Sequence, residues 1–324
     1  MRMYKTIFLL SLVLITVTSS CIQTPPDIKI SQPTGEATKV TAPTPEPTLT
    51  PTLVQTNTPT SIPVLSEKEA KAQLLDLLAN DGACRLPCIW DIMPGETFYT
   101  EARTVFLPFD TITISMNLSD NDGSDSVWLT YDEGASRTFV KFSYLYASDG
   151  IISRIVFNAA EYKETDGNRS LVFDSNNFGE RLSSYMLPGI LSELGKPTSV
   201  IISTSGKQIA GSGGFDVVLV YPEQGIFIHY TMQMESVGKI AFGCPANAQV
   251  ELELYPPGNA DAFNKAISQT HWDFIWPEPI DNPSWKPIDK ATSMSINEFY
   301  ETFRQPTDQC IETPLEGWYI PEGP

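Results

Sequence analysis

The chain has 324 residues, a formal net charge of −18, and 41% hydrophobic and 10% aromatic residues. So acidic a protein repels nucleic acid and anionic lipid head groups, which excludes both as expected binding partners. The length beyond residue 65 accommodates one large or two small domains with a substantial core, and no second apolar run there is long enough to cross a membrane.

Arg2 and Lys5 form a basic leader, Ile7 to Val17 is apolar, and Thr18, Ser19 and Ser20 lead directly to Cys21. The apolar run is too short for ~30 Å of hydrocarbon, as in a cleaved export signal. This arrangement resembles the lipobox of bacterial lipoproteins. The resemblance implies removal of residues 1–20, acylation of Cys21, and attachment to a membrane through that N-terminal lipid. Thr18 stands where a lipobox usually has an aliphatic residue, so ordinary signal-peptidase cleavage with Cys21 as a spectator is the alternative. Losing Arg2 and Lys5 takes the net charge from −18 to −20. The expected location is the cell envelope, outside the cytoplasm.

Residues 21–65 are expected to be a tether. The stretch 24–63 is dominated by Thr and Pro with no apolar period. It cannot bury enough surface to offset backbone ordering, so a disordered spacer is predicted. Its reach is roughly 35 Å as a coil and at most about 120 Å as polyproline II.

Four cysteines follow: Cys84, Cys88, Cys244 and Cys310. In an exported chain they point to two disulfides, with three possible connectivities. Nearest-neighbour pairing, Cys84–Cys88 and Cys244–Cys310, is the one adopted. It would staple the turn CRLPC and tie the C-terminal segment to the body.

Ser66 with Glu69 reads as a capping box opening a helix, with Ala70, Leu74, Leu77 and Leu78 on one face. Asn80, Asp81 and Gly82 stop it. Thr97 caps a second predicted helix running to about Leu107, ended by Pro108. Strands are predicted at 111–118, 126–131, 137–146 and 150–157. The order then repeats: a helix at 187–194 stopped at Gly195, and strands at 198–204, 215–221, 225–234 and 249–254. Short helices near 260–268 and 295–303 lead to Cys310. The fold class is α+β: tandem units of a helix plus a four-stranded antiparallel sheet, with a disulfide-tied C-terminal extension. The expected division is 66–180 for the first unit and 181–324 for the second unit and extension.

The segment CRLPCIWDIMPGET is similar to the C-x-L-P-C-x-W-x-I-x-P-G-x-T stretch of Thr/Pro-tethered bacterial lipoproteins without an assigned activity. PGETFYTEA and LPGILSELGKP resemble parts of the pattern of BamE-type envelope lipoproteins of the barrel-assembly machinery. The doubled order of one helix and four strands is similar to the secreted beta-lactamase inhibitory protein. That likeness implies a sheet that grips a partner.

Each candidate site has an ordinary structural counterpart. Cys84-x-x-x-Cys88 could serve thiol or metal chemistry, but exported cysteines are mostly structural. SDNDGSD at 119–125 is read as a hairpin turn, because an EF-hand register with Gly123 sixth puts Leu118 at the first ligand place. On the strand at 225–234, Ile226, Ile228, Tyr230 and Met232 fit the core side. Phe227, His229, Thr231 and Gln233 would form a mixed outer face open to a partner. Trp272, Trp276 and Trp285 could stack on sugars or a protein, or pack a loop. His271 and Asp273 lie nearby with no placed nucleophile.

No nucleotide, hydrolase or zinc-peptidase motif occurs, and no cofactor or metal is expected. The favoured reading is a non-enzymatic binding or envelope-assembly module for a protein or glycan. A thiol-redox or metal protein using Cys84 and Cys88, and a hydrolase with an unrecognised carboxylate pair, stay open.

Overall fold

The computed structural model describes residues 63–316 and 318, apart from 83, 119–122, 134–135, 166–167, 174–177, 210–211 and 271–284. Cys21, the tether up to residue 62, Trp272 and Trp276 therefore lie outside the described residues, as do His271, Asp273 and most of the SDNDGSD turn.

Helix α1 (Glu67–Asn80) opens with the predicted capping box. The Ser66 N–H and hydroxyl both donate to Glu69 Oε2, at 3.1 and 2.6 Å. Ala70, Leu74 and Leu78 are buried, and the helix stops at Asp81 in the left-handed region, φ 53°. Helix α2 (Tyr99–Phe106) starts from Phe98 rather than Thr97. The Thr97 hydroxyl instead accepts the Met93 N–H at 2.9 Å, inside the preceding loop. Pro108 does not end the chain's helical course. It sits in the first turn of a 3-10 segment, Leu107–Ile112, where its missing N–H costs nothing.

Strands β1 (Thr113–Leu118), β2 (Ser124–Glu133), β3 (Ser136–Tyr146), β4 (Ile152–Thr165) and β5 (Asn168–Leu171) follow. After helices α3 (Phe178–Arg181) and α4 (Leu187–Leu194) come β6 (Ser199–Ile209), β7 (Ser212–Tyr221), β8 (Ile226–Val237), β9 (Ile240–Gly243) and β10 (Gln249–Leu254). The extension holds α5 (Ala260–Thr270), β11 (Trp285–Pro287), α6 (Ile288–Ala291), α7 (Ile296–Phe303) and β12 (Ile311–Pro314). The fold is α+β. Ser295 and Glu298 cap α7 as Ser66 and Glu69 cap α1.

The two predicted runs of strands join into one antiparallel sheet, ordered β1-β2-β3-β4-β10-β8-β7-β6-β11. β5 flanks β4, while β9 and β12 continue from β8. The last strand of each run meets the other at the centre, where Val250 faces Ala159 and Leu252 faces Phe157.

One face of this sheet shares a single core with α1, α2, α4, α6 and α7. Trp90 is at its heart, 1% exposed, with ring centroids 5.3 Å from Phe142, 5.7 Å from Phe157 and 6.1 Å from Phe106. The CRLPC turn and the residues after it thus hold an aromatic plug. Both expected disulfides are present, Cys84–Cys88 and Cys244–Cys310.

Meander topology predicts helices on one face only, and α5 departs from that. Phe263 and Ile267 of α5 pack on the opposite face, against Ile201, Val218, Val220 and Phe227. The cause lies in β7, whose VVLVY run is apolar at successive positions and so needs cover on both sides.

Candidate functional site

The sheet face opposite the main core carries the sequence-selected residues of β8. Alternation places Ile226, Ile228, Tyr230 and Met232 in the core, each at most 1% exposed. On the other side the four candidates diverge. Phe227 is not on an open face: it is 1% exposed inside the small α5 core. His229 and Thr231 are half-buried, and Gln233 is exposed.

Cross-strand register lines up one row of side chains across this face. Trp128 of β2 faces Lys141 of β3, which faces Asn158 of β4. Beyond the central seam, Glu251 of β10 faces His229, which faces Val218 of β7. Neighbouring strands lie about 4.8 Å apart, so Trp128 and Glu251 are roughly 14 Å apart. The Lys141 ammonium sits 5.1 Å from the Trp128 ring centroid, and Asn158 Nδ2 donates to Glu251 Oε2 at 3.2 Å.

His229 joins a polar cluster with β7. Its Nε2 lies 3.0 Å from Asp216 Oδ1, which also accepts the Thr231 hydroxyl at 3.0 Å. Burial pulls the imidazole pKa down. The hydrogen bond and charge of Asp216, with the charges of Glu251 and Glu253, outweigh it and hold the group above its usual value. Trp285 packs edge-on against the imidazole at 6.0 Å between ring centroids, so of the three tryptophans singled out it is the one seen beside His229. The Thr231 hydroxyl gives its proton to the carboxylate that His229 already uses. That hydroxyl also lies 3.4 Å from His229 Nε2, the same ring nitrogen that faces Asp216, whereas an acyl-transfer triad places hydroxyl and carboxylate on opposite ring nitrogens.

A buried charge pair lies further along this face. Glu253 is 1% exposed, its Oε2 lies 2.6 Å from Arg154 Nη2, and it accepts the Tyr255 hydroxyl at 2.8 Å. A carboxylate so deep needs both partners, since removing either leaves an uncompensated buried charge. Three buried atoms on this face, Ser143 Oγ, Arg154 Nε and Gln249 Nε2, have no hydrogen-bond partner among the described residues. All three carry protons to donate, and leaving such a group unpaired costs about 1–3 kcal/mol.

Sequence reasoning found His229 and Thr231 but not Asp216, Glu251, Asn158, Arg154 or Trp128. Their shared signal was a polar or aromatic residue on the non-core phase of a strand. Only the pairing order of the strands brings them together. Cys84 and Cys88 lie at the far side of the core, bonded to each other, with Cys88 buried. Among the described residues no group of three or more His, Cys, Asp or Glu is placed to hold a metal ion. No protein-family model, curated protein or solved structure matches this chain significantly.

Proposed function

We propose that this protein is an exported, lipid-anchored binding module that presents the α5-free part of its second sheet face to a protein or glycan at the cell envelope. Cys21 is the lipid attachment point, and the Thr/Pro stretch gives the reach. The observation that carries the binding reading is the half-buried row of Trp128, Lys141 and Asn158 on that face, with the Lys141 ammonium over the Trp128 ring. A partner rich in oxygen acceptors, whether peptide carbonyls or sugar hydroxyls, would accept from the Lys141 ammonium, and the Trp128 ring beneath it adds an aromatic anchor.

Photo-crosslinking in cells tests this directly. A crosslinkable residue replacing Lys141 or Trp128 should yield a discrete adduct, and one replacing the exposed Lys68 on α1 should not. Adducts from α1 alone would overturn the assignment of the face. The anchor has its own readout: Cys21→Ala should abolish metabolic labelling with a fatty-acid analogue. Deleting residues 24–60 should impair rescue of a knockout even when the protein remains anchored, and full rescue would defeat the reach argument.

A further inference from the structure

On the core side of the molecule, away from the proposed binding face, a cleft of about 500 Å³ opens beside the Cys244–Cys310 disulfide. That size suits a small organic ligand. Its apolar walls are Met186, Leu187 and Phe303 with three prolines, Pro188, Pro245 and Pro306. Helix α3 closes one end against the turn at 245–247. A Cβ on Gly179 would stand 2.7 Å from the Ala246 carbonyl, so glycine permits that close approach.

The polar part of the lining is one-sided. Its ionisable side chains are Glu180 and Asp308, both exposed at the rim, and Ser183 and Thr307 add hydroxyls. Among the described residues no lysine, arginine, histidine or amide side chain lines it. Prolines have no N–H to offer. The lining can therefore accept hydrogen bonds and balance positive charge far better than it can donate.

We infer that this cleft binds a small amphiphilic cation, an apolar chain or ring bearing an ammonium or guanidinium group. The apolar part lies between Leu187 and Phe303 and the cationic head meets Glu180 and Asp308. The disulfide joins the two sides, since Cys244 precedes Pro245 in one wall and Cys310 follows Asp308 in the other. This site is independent of the sheet face and of any partner found there.

The test is titration calorimetry on the mature protein at neutral pH and physiological salt, with octylammonium, octanoate and octanol as probes. Octylammonium should saturate one site and bind about tenfold more tightly than octanoate, the scale expected from two partly solvated ion pairs. Glu180→Gln with Asp308→Asn should bring octylammonium down to the affinity of octanol. That result separates the cleft from general attraction to an acidic protein. Ser183→Trp, at an exposed position, should block all three probes while leaving the melting temperature unchanged. Equal binding of octanoate, absence of a saturable octylammonium site, or full binding by the Ser183→Trp variant would each overturn the inference.

Discussion

The two halves of the sheet repeat one plan and differ in what their second faces ask for. In β1–β4 the positions facing away from the main core include Trp128, Lys141, Ser143 and Asn158. In β6–β8 the corresponding positions include Ile201, Val218, Val220 and Phe227. The second half must therefore be covered, and α5 covers it. The first half asks for less cover: Phe139 is buried edge-on against Tyr162, Trp128, Lys141 and Asn158 stay half-buried, and among the described residues no helix packs on that side of it. An equal architecture thus yields a two-sided core in one half and an offered surface in the other, through side chains on one strand phase.

The largest test of this contrast compares aromatic truncations. Trp90→Ala, at the plug of the first half, should cost about 3–5 kcal/mol and lower the melting temperature by roughly 10 °C. Phe263→Ala should destabilise less, because its cluster is smaller, yet expose the apolar face of the second half. Hydrophobic-dye binding should rise in Phe263→Ala and stay at the wild-type level in Lys141→Ala. A rise in both would erase the difference between the faces.

The disulfides sharpen the same comparison. Their cysteines are separated by 4 residues in the first half and by 66 in the second. On the chain-entropy account, replacing Cys84 and Cys88 by serine should cost about 2 kcal/mol, and replacing Cys244 and Cys310 about 4 kcal/mol. Urea denaturation of the two double variants measures both.

A pH effect of similar order belongs to the first half. Asp81 is 5% exposed, and burial, with Glu193 nearby, pushes its carboxyl up to about 7 against the hydrogen bond from Tyr185. The neutral form is the one the fold prefers. Stability should thus be highest below the unfolded value of about 4, fall between pH 4 and 7, and level off above. The total is on the order of 4 kcal/mol. Asp81→Asn keeps the left-handed backbone and should flatten that slope, as denaturation at stepped pH would reveal. A slope unchanged in the variant would assign the pH dependence elsewhere.

The smallest effect concerns His229 in the second half. Its imidazole should titrate above 6.5 by proton NMR, and Asp216→Asn should lower the midpoint. Its stabilising share is complete at acid pH and fades as pH rises through that midpoint. An unmoved midpoint would remove Asp216 as the cause.

Local signals made much of this legible. Ser66 with Glu69, Gly195 after Leu194, and the alternation of Val140, Phe142 and Tyr144 in β3 each act within a few residues. The disulfide pairing followed from proximity in the chain. What stayed hidden is non-local. β9 and β12 are four-residue strands that pair with each other, β9 also with β8, so neither carries a period long enough to read. Asp216 and Glu251 flank His229 because β7 and β10 flank β8, an order the sequence does not spell out. The burial of Phe227 was written in the unbroken apolar run of β7 rather than in β8 itself.

The meeting of β4 with β10 at the middle of the sheet also shapes how the chain is made. A nascent chain emerging from its N-terminus delivers the first meander complete except for one row of peptide groups. That row waits for Gln249–Leu254 to arrive. Until then it is an open edge able to capture any matching strand. Two molecules emerging side by side could close each other's seams by trading their C-terminal halves, giving an intertwined dimer with native pairing throughout.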